Sequence, residues 1–527
     1  MTPLGDGIDR RFTARPGLLI YSCSGLLNLV PGATEKIQHP PFSVNKVQLG
    51  YELSKRLLWV SIASCLLSQQ FGYNMWILCS PTVLLQELYN ITAFEEMKDS
   101  PSQMTLVIIS MALFPFGATF GSLPVGYLAD RFGRKGALVI TNILSIISSV
   151  LLGCSHKIRT YIYTLFTRFY AGMCAGIISI VVPLYLGELS PRSLRGGITM
   201  MPQLFYGLGM LMAQIAALRE LLGNRKGYPA LTCLSMILPF LQFFLLPFFP
   251  ESPRYLFIQR KDEENARQAL NMLRDRNDVD DEIEELQLED ITEKAEKNMN
   301  PIKLLSTSSL RWQVITAVVL LVGEELSGIN AAYYYMERIY LSARIDIKKI
   351  QFVMVGGTAL CCCVATVAVC LADSKGHRFL LLSGFGVCSL VTVLLTMTME
   401  MQATIPEMAY FSTVFLNVFL VGYSVGAGPV PPAMVVQLFL QSSRSSAFVI
   451  VRVVQWFTNF ITGVLFLYAE AHIRVYSFLI SWPISVATFF YIFKIVPETK
   501  RRTFVDIRRL MAIQTARKID IKEQMDK

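Results

Sequence analysis

Charge is scarce in this chain, and so is histidine. Only 17% of the 527 residues are Asp, Glu, Lys or Arg, against about 25% in an ordinary soluble domain. The histidines are His39, His156, His377 and His472. None stands in nucleophile–base spacing and no glycine-rich nucleotide loop is present, so the chain does not read as an enzyme. Of the eleven cysteines, most lie in apolar stretches, including the run Cys361-Cys362-Cys363. They lack zinc-ligand spacing and read as small packing residues. No cofactor and no metal is expected.

What the chain has instead is long hydrophobic runs. Hydrophobic residues make up 53% of it, in blocks of roughly 20, the length a helix needs to cross about 30 Å of hydrocarbon. Lipid admits only helices or closed barrels as spanning structures, so the expected fold class is an all-α integral membrane protein. The blocks centre on 57–80, 105–128, 136–154, 162–186, 197–217 and 228–249, then 312–334, 350–372, 379–398, 409–435, 447–468 and 473–496. The expected domains are a tail at 1–56, a six-helix half at 57–249, a polar linker at 250–311, a second six-helix half at 312–496 and a tail at 497–527.

The net charge of +9 gathers at the edges of the apolar blocks: Arg131, Arg134 and Lys135, then Lys375 and Arg378, then Lys500, Arg501 and Arg502. This is the positive-inside pattern, and it places both termini and the linker in the cytosol. It gives no reason to expect a nucleic-acid partner. The sequon Asn90-Ile91-Thr92 falls in the loop at 81–104, whose only basic residue is Lys98, so Asn90 is a candidate for glycosylation on the outside. Residues 10–32 imitate a signal peptide, but an uncleaved cytosolic tail fits the N-in first helix better. Residues 262–299 alternate in charge and read as solvated helices.

The two halves echo one another. LADRFGRK (128–135) matches LADSKGHR (371–378), FPESPR (249–254) matches VPETKR (496–501), and ELSPRSLRG (188–196) has a fainter counterpart in QLFLQSSRS (437–445), at offsets of 243, 247 and 249 residues. Duplicated halves are a mark of many secondary transporters.

These motifs resemble the major facilitator superfamily and its sugar transporter family. GYLADRFGRK, RFYAG (168–172), PLYLGELSPRSLRG (183–196), PESPRYL (250–256), LSGIN (326–330) and PETK (497–500) stand in the family's order. The resemblance is nearest to class II facilitative hexose carriers, the fructose-transporting branch. It implies two pseudo-symmetric six-helix halves, a cytosolic helical domain and alternating access. It also implies a cytoplasmic gate built from Arg131, Arg134, Arg168, Glu188, Arg195, Glu251 and Arg254, with Asp373, Arg378, Arg444 and Glu498 in the second half. The family's acid after helix ten is Gln437 here, a change expected to weaken the second-half latch.

A sugar presents hydroxyls that both donate and accept, so its site wants amides and aromatic surface. Gln70, Asn74 and Gln203 are the first-half candidates. In the second half they are Glu324, Glu325, Asn330, Tyr423, Gln455 and Asn459. The resemblance puts a Gln pair where Glu324 and Glu325 stand, an Asn at Cys361, an aromatic at Pro432 and histidines at Tyr423 and Gln455. Asn74 replaces the acid of proton-coupled relatives, which favours uniport. A buried charge in a membrane costs at least about 2.5 kcal/mol, so the glutamates need protons or a cation, for which Arg452 is the candidate. Three readings stay open: a facilitative carrier of fructose or glucose, a carrier with altered substrate or proton coupling through the glutamates, and a non-transporting sugar sensor. The expected partners are a small sugar and the lipid bilayer, at the cell membrane. Nothing in the sequence sets an oligomeric state, and a monomer suffices.

Overall fold

The computed structural model describes residues 53–79 and 101–513, except 159, 225, 277, 294–298, 308–309, 344, 346, 403, 474–475 and 512. Asn90, nearly all of the N-terminal tail and the chain beyond 513 lie outside the described residues.

The first half contains α1 (Lys55–Ser64), α2 (Leu66–Cys79), α3 (Pro101–Ser122), α4 (Val125–Ile158), α5 (Tyr161–Leu189), α6 (Arg195–Ala216), α7 (Tyr228–Leu234) and α8 (Ile237–Leu245). The linker contributes α9 (Glu263–Arg274), α10 (Asp280–Glu293) and α11 (Pro301–Ser306). The second half follows as α12 (Arg311–Leu326), α13 (Ile329–Ser342), α14 (Ile347–Lys375), α15 (His377–Met401), α16 (Met408–Gly422), α17 (Val430–Leu438), α18 (Gln441–Ile473) and α19 (Ser477–Ile495). Among the described residues, nine helices are long and apolar enough to cross a membrane. The three other expected spans are present as α1 with α2, as α3 and as α6, which are shorter in their apolar part or more polar.

Four expected spans are interrupted: 57–80 between α1 and α2, 228–249 between α7 and α8, and two in the second half. The span at 312–334 ends one helix at Leu326 and restarts at Ile329, with Gly328 between them at φ 99. Only glycine adopts that conformation without strain. The span at 409–435 opens into a π-turn, Tyr423–Ala427, before α17. The two second-half breaks set polar side chains inward, Ser327 buried and Tyr423 and Ser424 lining a cavity, where irregular backbone is tolerated in a membrane protein.

Small residues let the remaining helices approach closely. Gly117 and Gly121 of α3 lie against the backbones of Phe169 and Met173, and Gly172 and Gly176 of α5 against Phe114 and Ala118. This is reciprocal small-xxx-small packing, suited to a solvent in which apolar burial drives nothing.

The sequence repeat is also a structural repeat. Gly133 (φ 81, ψ 174) kinks α4, and Gly376 (φ 91, ψ 159) precedes α15. Beside each glycine lies a glutamate of the second repeat motif, Glu251 and Glu498 respectively. Glu251 accepts the backbone N–H groups of Arg134 and Lys135 at 2.9 and 3.0 Å, capping the helix that restarts there. These two glutamates therefore belong to turns within their own halves, not to a latch between halves.

Candidate functional site

A cavity of about 560 Å³, counting its open mouth, lies between α6 of the first half and α13, α14 and the π-turn of the second. Gln203, Tyr206, Tyr333, Thr358, Cys361 and Tyr423 line it. Its mix of aromatic faces with amide and hydroxyl groups suits a polyol.

Of the first-half candidates, Gln203 lines this cavity. Gln70 does not: it is 1% exposed, and its amide donates to Ser149 Oγ of α4 at 3.0 Å. It ties helices together within the first half. Asn74 is buried with its carbonyl oxygen unpaired.

The two glutamates lie behind the cavity, at the C-terminal end of α12. Glu324 accepts from Tyr423 Oη at 3.2 Å and from Gln455 Nε2 at 3.3 Å. Glu325 accepts from Gln455 Nε2 at 3.0 Å and from Asn459 Nδ2 at 2.6 Å. Arg452 does not reach either carboxylate by hydrogen bond; it donates to Gln455 Oε1 at 2.6 Å. The expected Arg–Glu pair is therefore replaced by a relay, because the one amide satisfies cation and anions together. Asn330 Nδ2 donates to Thr462 at 3.5 Å. Tyr423 belongs to both the cavity lining and the glutamate network.

At the end of the bundle that carries the linker, charged groups from both halves interlock. Arg134 and Glu188 pair at 3.0 Å, fully buried. Arg444 of the second half reaches Glu188 at 3.7 Å and Glu289 of α10 at 3.7 Å. Arg254 pairs with Glu285 at 3.1 Å and with Glu289, and Arg195 reaches Glu285 at 3.6 Å. The ring of Phe504 sits under three guanidinium groups, those of Arg195 at 3.9 Å, Arg444 at 4.2 Å and Arg254 at 4.7 Å. Burial pushes the Glu285 carboxyl up, but Arg254 and Arg195 outweigh it and hold the group at about 2. Burial raises Glu251 above the usual carboxylate range.

Direct bonds also cross between the halves. Ser445 donates to Asp130 at 3.0 Å, and the Gly197 N–H donates to Asp373 at 3.1 Å. These aspartates are repeat equivalents, each touching the opposite half.

Three expected gate residues sit elsewhere. Arg168 bonds the carbonyl of Leu78 at the far end of α5, some 20 residues and about 30 Å of helix from Glu188. Arg131 is exposed and stacks on Tyr127 and Phe132. Arg378 donates to the Phe493 carbonyl at 2.5 Å. Arg444 keeps two acids, Glu188 and Glu289. The sequence reading missed Asp130, which its own repeat alignment with Asp373 signals, and the linker acids Glu285 and Glu289, which read as solvated surface.

With this geometry in view, the chain can be set beside known proteins. The family model described as "Sugar (and other) transporter" matches residues 60–511. The chain belongs to the sugar transporter family. Within it, solute carrier family 2, facilitated glucose transporter member 5 from Rattus norvegicus is 44% identical over 84% of this chain and 89% of its own length. The human member 5 is 43% identical over 84% and 89%, and mouse member 7 is 41% identical over 83% and 86%. Among solved structures, the proton:xylose symporter XylE bound to 6-bromo-6-deoxy-D-glucose superposes with a TM-score of 0.77 at 19% identity, over 87% of this chain and 100% of that one. The inward-open conformation of the xylose transporter from E. coli gives 0.63 at 18%, over 86% and 99%. The sugar transporter family is one of membrane carriers, and the fold here is the major facilitator fold, multi-pass and all-α.

Proposed function

We propose that this chain is a facilitative hexose carrier, moving fructose or glucose by alternating access through the cavity between its halves. The observation that carries the reading is the cavity itself: both halves supply its lining, with Gln203 and Tyr206 on one side and Tyr333, Thr358 and Tyr423 on the other. Relatives above 40% identity bear the name facilitated glucose transporter. The interlocked charges at the linker end support a gate that opens and closes as the halves rock. Asn74, which cannot titrate, supports uniport.

The glutamates fit this reading when the network is held by neutral donors, since a protonated carboxyl donates and accepts as an amide does. The basic end faces the cytosol with both termini, in the cell membrane, and Asn90 carries glycan on the outside. The test is uptake of labelled fructose and glucose into liposomes holding the purified chain. Saturable uptake of either, competed by the unlabelled sugar, is expected. Counts no higher than in protein-free liposomes for both sugars would rule the reading out.

A further inference from the structure

The repeat lets each half serve as a template for the other at the charged end. Arg444 aligns with Arg195, and Glu188 with Gln437, at the offset of 249 residues. Arg444 reaches Glu188 at 3.7 Å. The symmetric contact would join Arg195 to residue 437, but there an amide replaces the carboxylate.

The consequence is visible around that position. Arg195 is 3% exposed, and its Nε and Nη2 atoms have no hydrogen-bond partner. Gln437 is 4% exposed with its Oε1 unpaired, and His377 Nε2 is buried and unpaired as well. All three line one cavity of about 330 Å³, counting open space. Arg192, Lys500, Arg501 and Arg502 line it too, and the only carboxylate among the lining residues is Asp373, whose Oδ1 already accepts from the Gly197 N–H. Two further acids border it: Glu285, 3.6 Å from Arg195 and shared with Arg254 at 3.1 Å, and Glu498, whose Oε1 already accepts the backbone N–H groups of Thr499 at 3.0 Å and Lys500 at 3.2 Å.

We propose that this cavity is a binding site for a phosphate-type oxyanion, which takes the place of the carboxylate missing at Gln437. A tetrahedral oxyanion offers several acceptors at once, and guanidinium groups bind such acceptors through paired N–H donors. Bound there, it satisfies the free N–H groups of Arg195 and draws the exposed cations of the 500–502 segment onto α6. The C-terminal segment, whose Phe504 already lies against Arg195, is thereby fastened across the gate. The chemistry is common to a phosphorylated lipid headgroup and a free phosphate ester, and the experiment separates the two.

The full chain in detergent is titrated with inositol trisphosphate, and separately with micelles containing phosphatidylinositol bisphosphate, at constant ionic strength, reading the thermal unfolding midpoint. A saturable rise is expected with at least one of them; a rise with the micelles only assigns the site to lipid, and a rise with both assigns it to the phosphate groups themselves. Arg501→Ala/Arg502→Ala should weaken the apparent affinity about tenfold or more, the scale of lost charge-assisted bonds. Gln437→Glu should abolish the response while raising the midpoint without any anion, since the new carboxylate occupies the site. Arg311→Ala, an exposed cation outside the cavity, should respond as the wild type does. The proposal is overturned by no rise with either probe, or by an equal rise in wild type, Gln437→Glu and the double alanine variant, which marks general ionic binding. None of these readouts depends on hexose movement, so the transport reading can fail without deciding this one.

Discussion

Arg452 donates to the side-chain oxygen of Gln455 at 2.6 Å. Through that one amide, a buried cation is joined to one buried and one half-buried carboxylate to which it makes no hydrogen bond of its own, because Gln455 Nε2 serves Glu324 and Glu325. An amide is the one neutral side chain that can accept on one side and donate twice on the other.

Replacing it should therefore be costly. Gln455→Leu removes a donor from each carboxylate and the acceptor from Arg452, and should lower stability by about 3–5 kcal/mol, the scale of breaking a buried ionic network. Gln455→Glu retains the acceptor but adds a third acid; it should rank between wild type and Leu. Thermal midpoints of the two purified variants check the order, and equal midpoints would show that the relay is not a structural unit.

Gln203 and Gln70 should separate binding from packing. Gln203 lines the cavity, whereas the Gln70 amide is bonded to Ser149 at 3.0 Å. Gln203→Ala should raise KM for hexose about tenfold, the size of one or two lost hydrogen bonds, with little change in midpoint. Gln70→Ala should do the reverse, leaving KM near wild type and lowering the midpoint.

The pair formed by Arg134 and Glu188 at 3.0 Å has neither side chain exposed. Arg134→Met alone leaves the buried Glu188 with only the longer contact to Arg444 and the Ser252 hydroxyl, and should cost about 3 kcal/mol. Arg134→Met with Glu188→Leu should cost less than the sum of the single changes. Denaturation of the double-mutant set measures the coupling, and simple additivity would mean the two charges act separately.

Gly133 and Gly376 hold conformations that suit glycine alone, at φ 81, ψ 174 and φ 91, ψ 159. Gly133→Ala and Gly376→Ala should each destabilise by about 1–3 kcal/mol, and similarly to one another because the turns are repeats. In each turn the added Cβ would also meet the neighbouring glutamate, Glu251 or Glu498.

Acid should loosen the linker. The Glu285 carboxyl sits at about 2 when folded, from an ordinary 4.5, because Arg254 and Arg195 outweigh its burial. A depressed folded value means that the stabilisation is complete above the unfolded value and is lost as pH falls from about 5 toward 2. It amounts to roughly 3 kcal/mol at most. Glu285→Gln should flatten that part of the stability–pH curve, and an unchanged slope would assign the acid sensitivity to other groups.

Much of this protein was legible before folding. Apolar blocks of spanning length set the helical membrane class, since a lipid solvent leaves few alternatives. The duplicated LADRFGRK and PESPR motifs marked the two turns that open on Gly133 and Gly376. A lone amide in an apolar run is expensive without a partner, which singled out Gln70 and Gln203 alike. The breaks after Leu326 and at Tyr423 were half legible: the glycines and prolines were plain, but not which turn they would form.

Tertiary structure decided the partners. Arg168 and Arg134 look alike in sequence, yet 20 or so residues of α5 carry one of them to the opposite end of the bundle from Glu188. Gln70 and Gln203 are both amides in apolar helices, and only helix rotation turned one toward Ser149 and the other toward the cavity. Glu285 and Glu289 read as solvated surface until α10 laid them against Arg254. Composition and periodicity report how each segment meets its solvent. Which charge neutralises which depends on contacts between residues far apart in the chain, and only the packed helices bring those together.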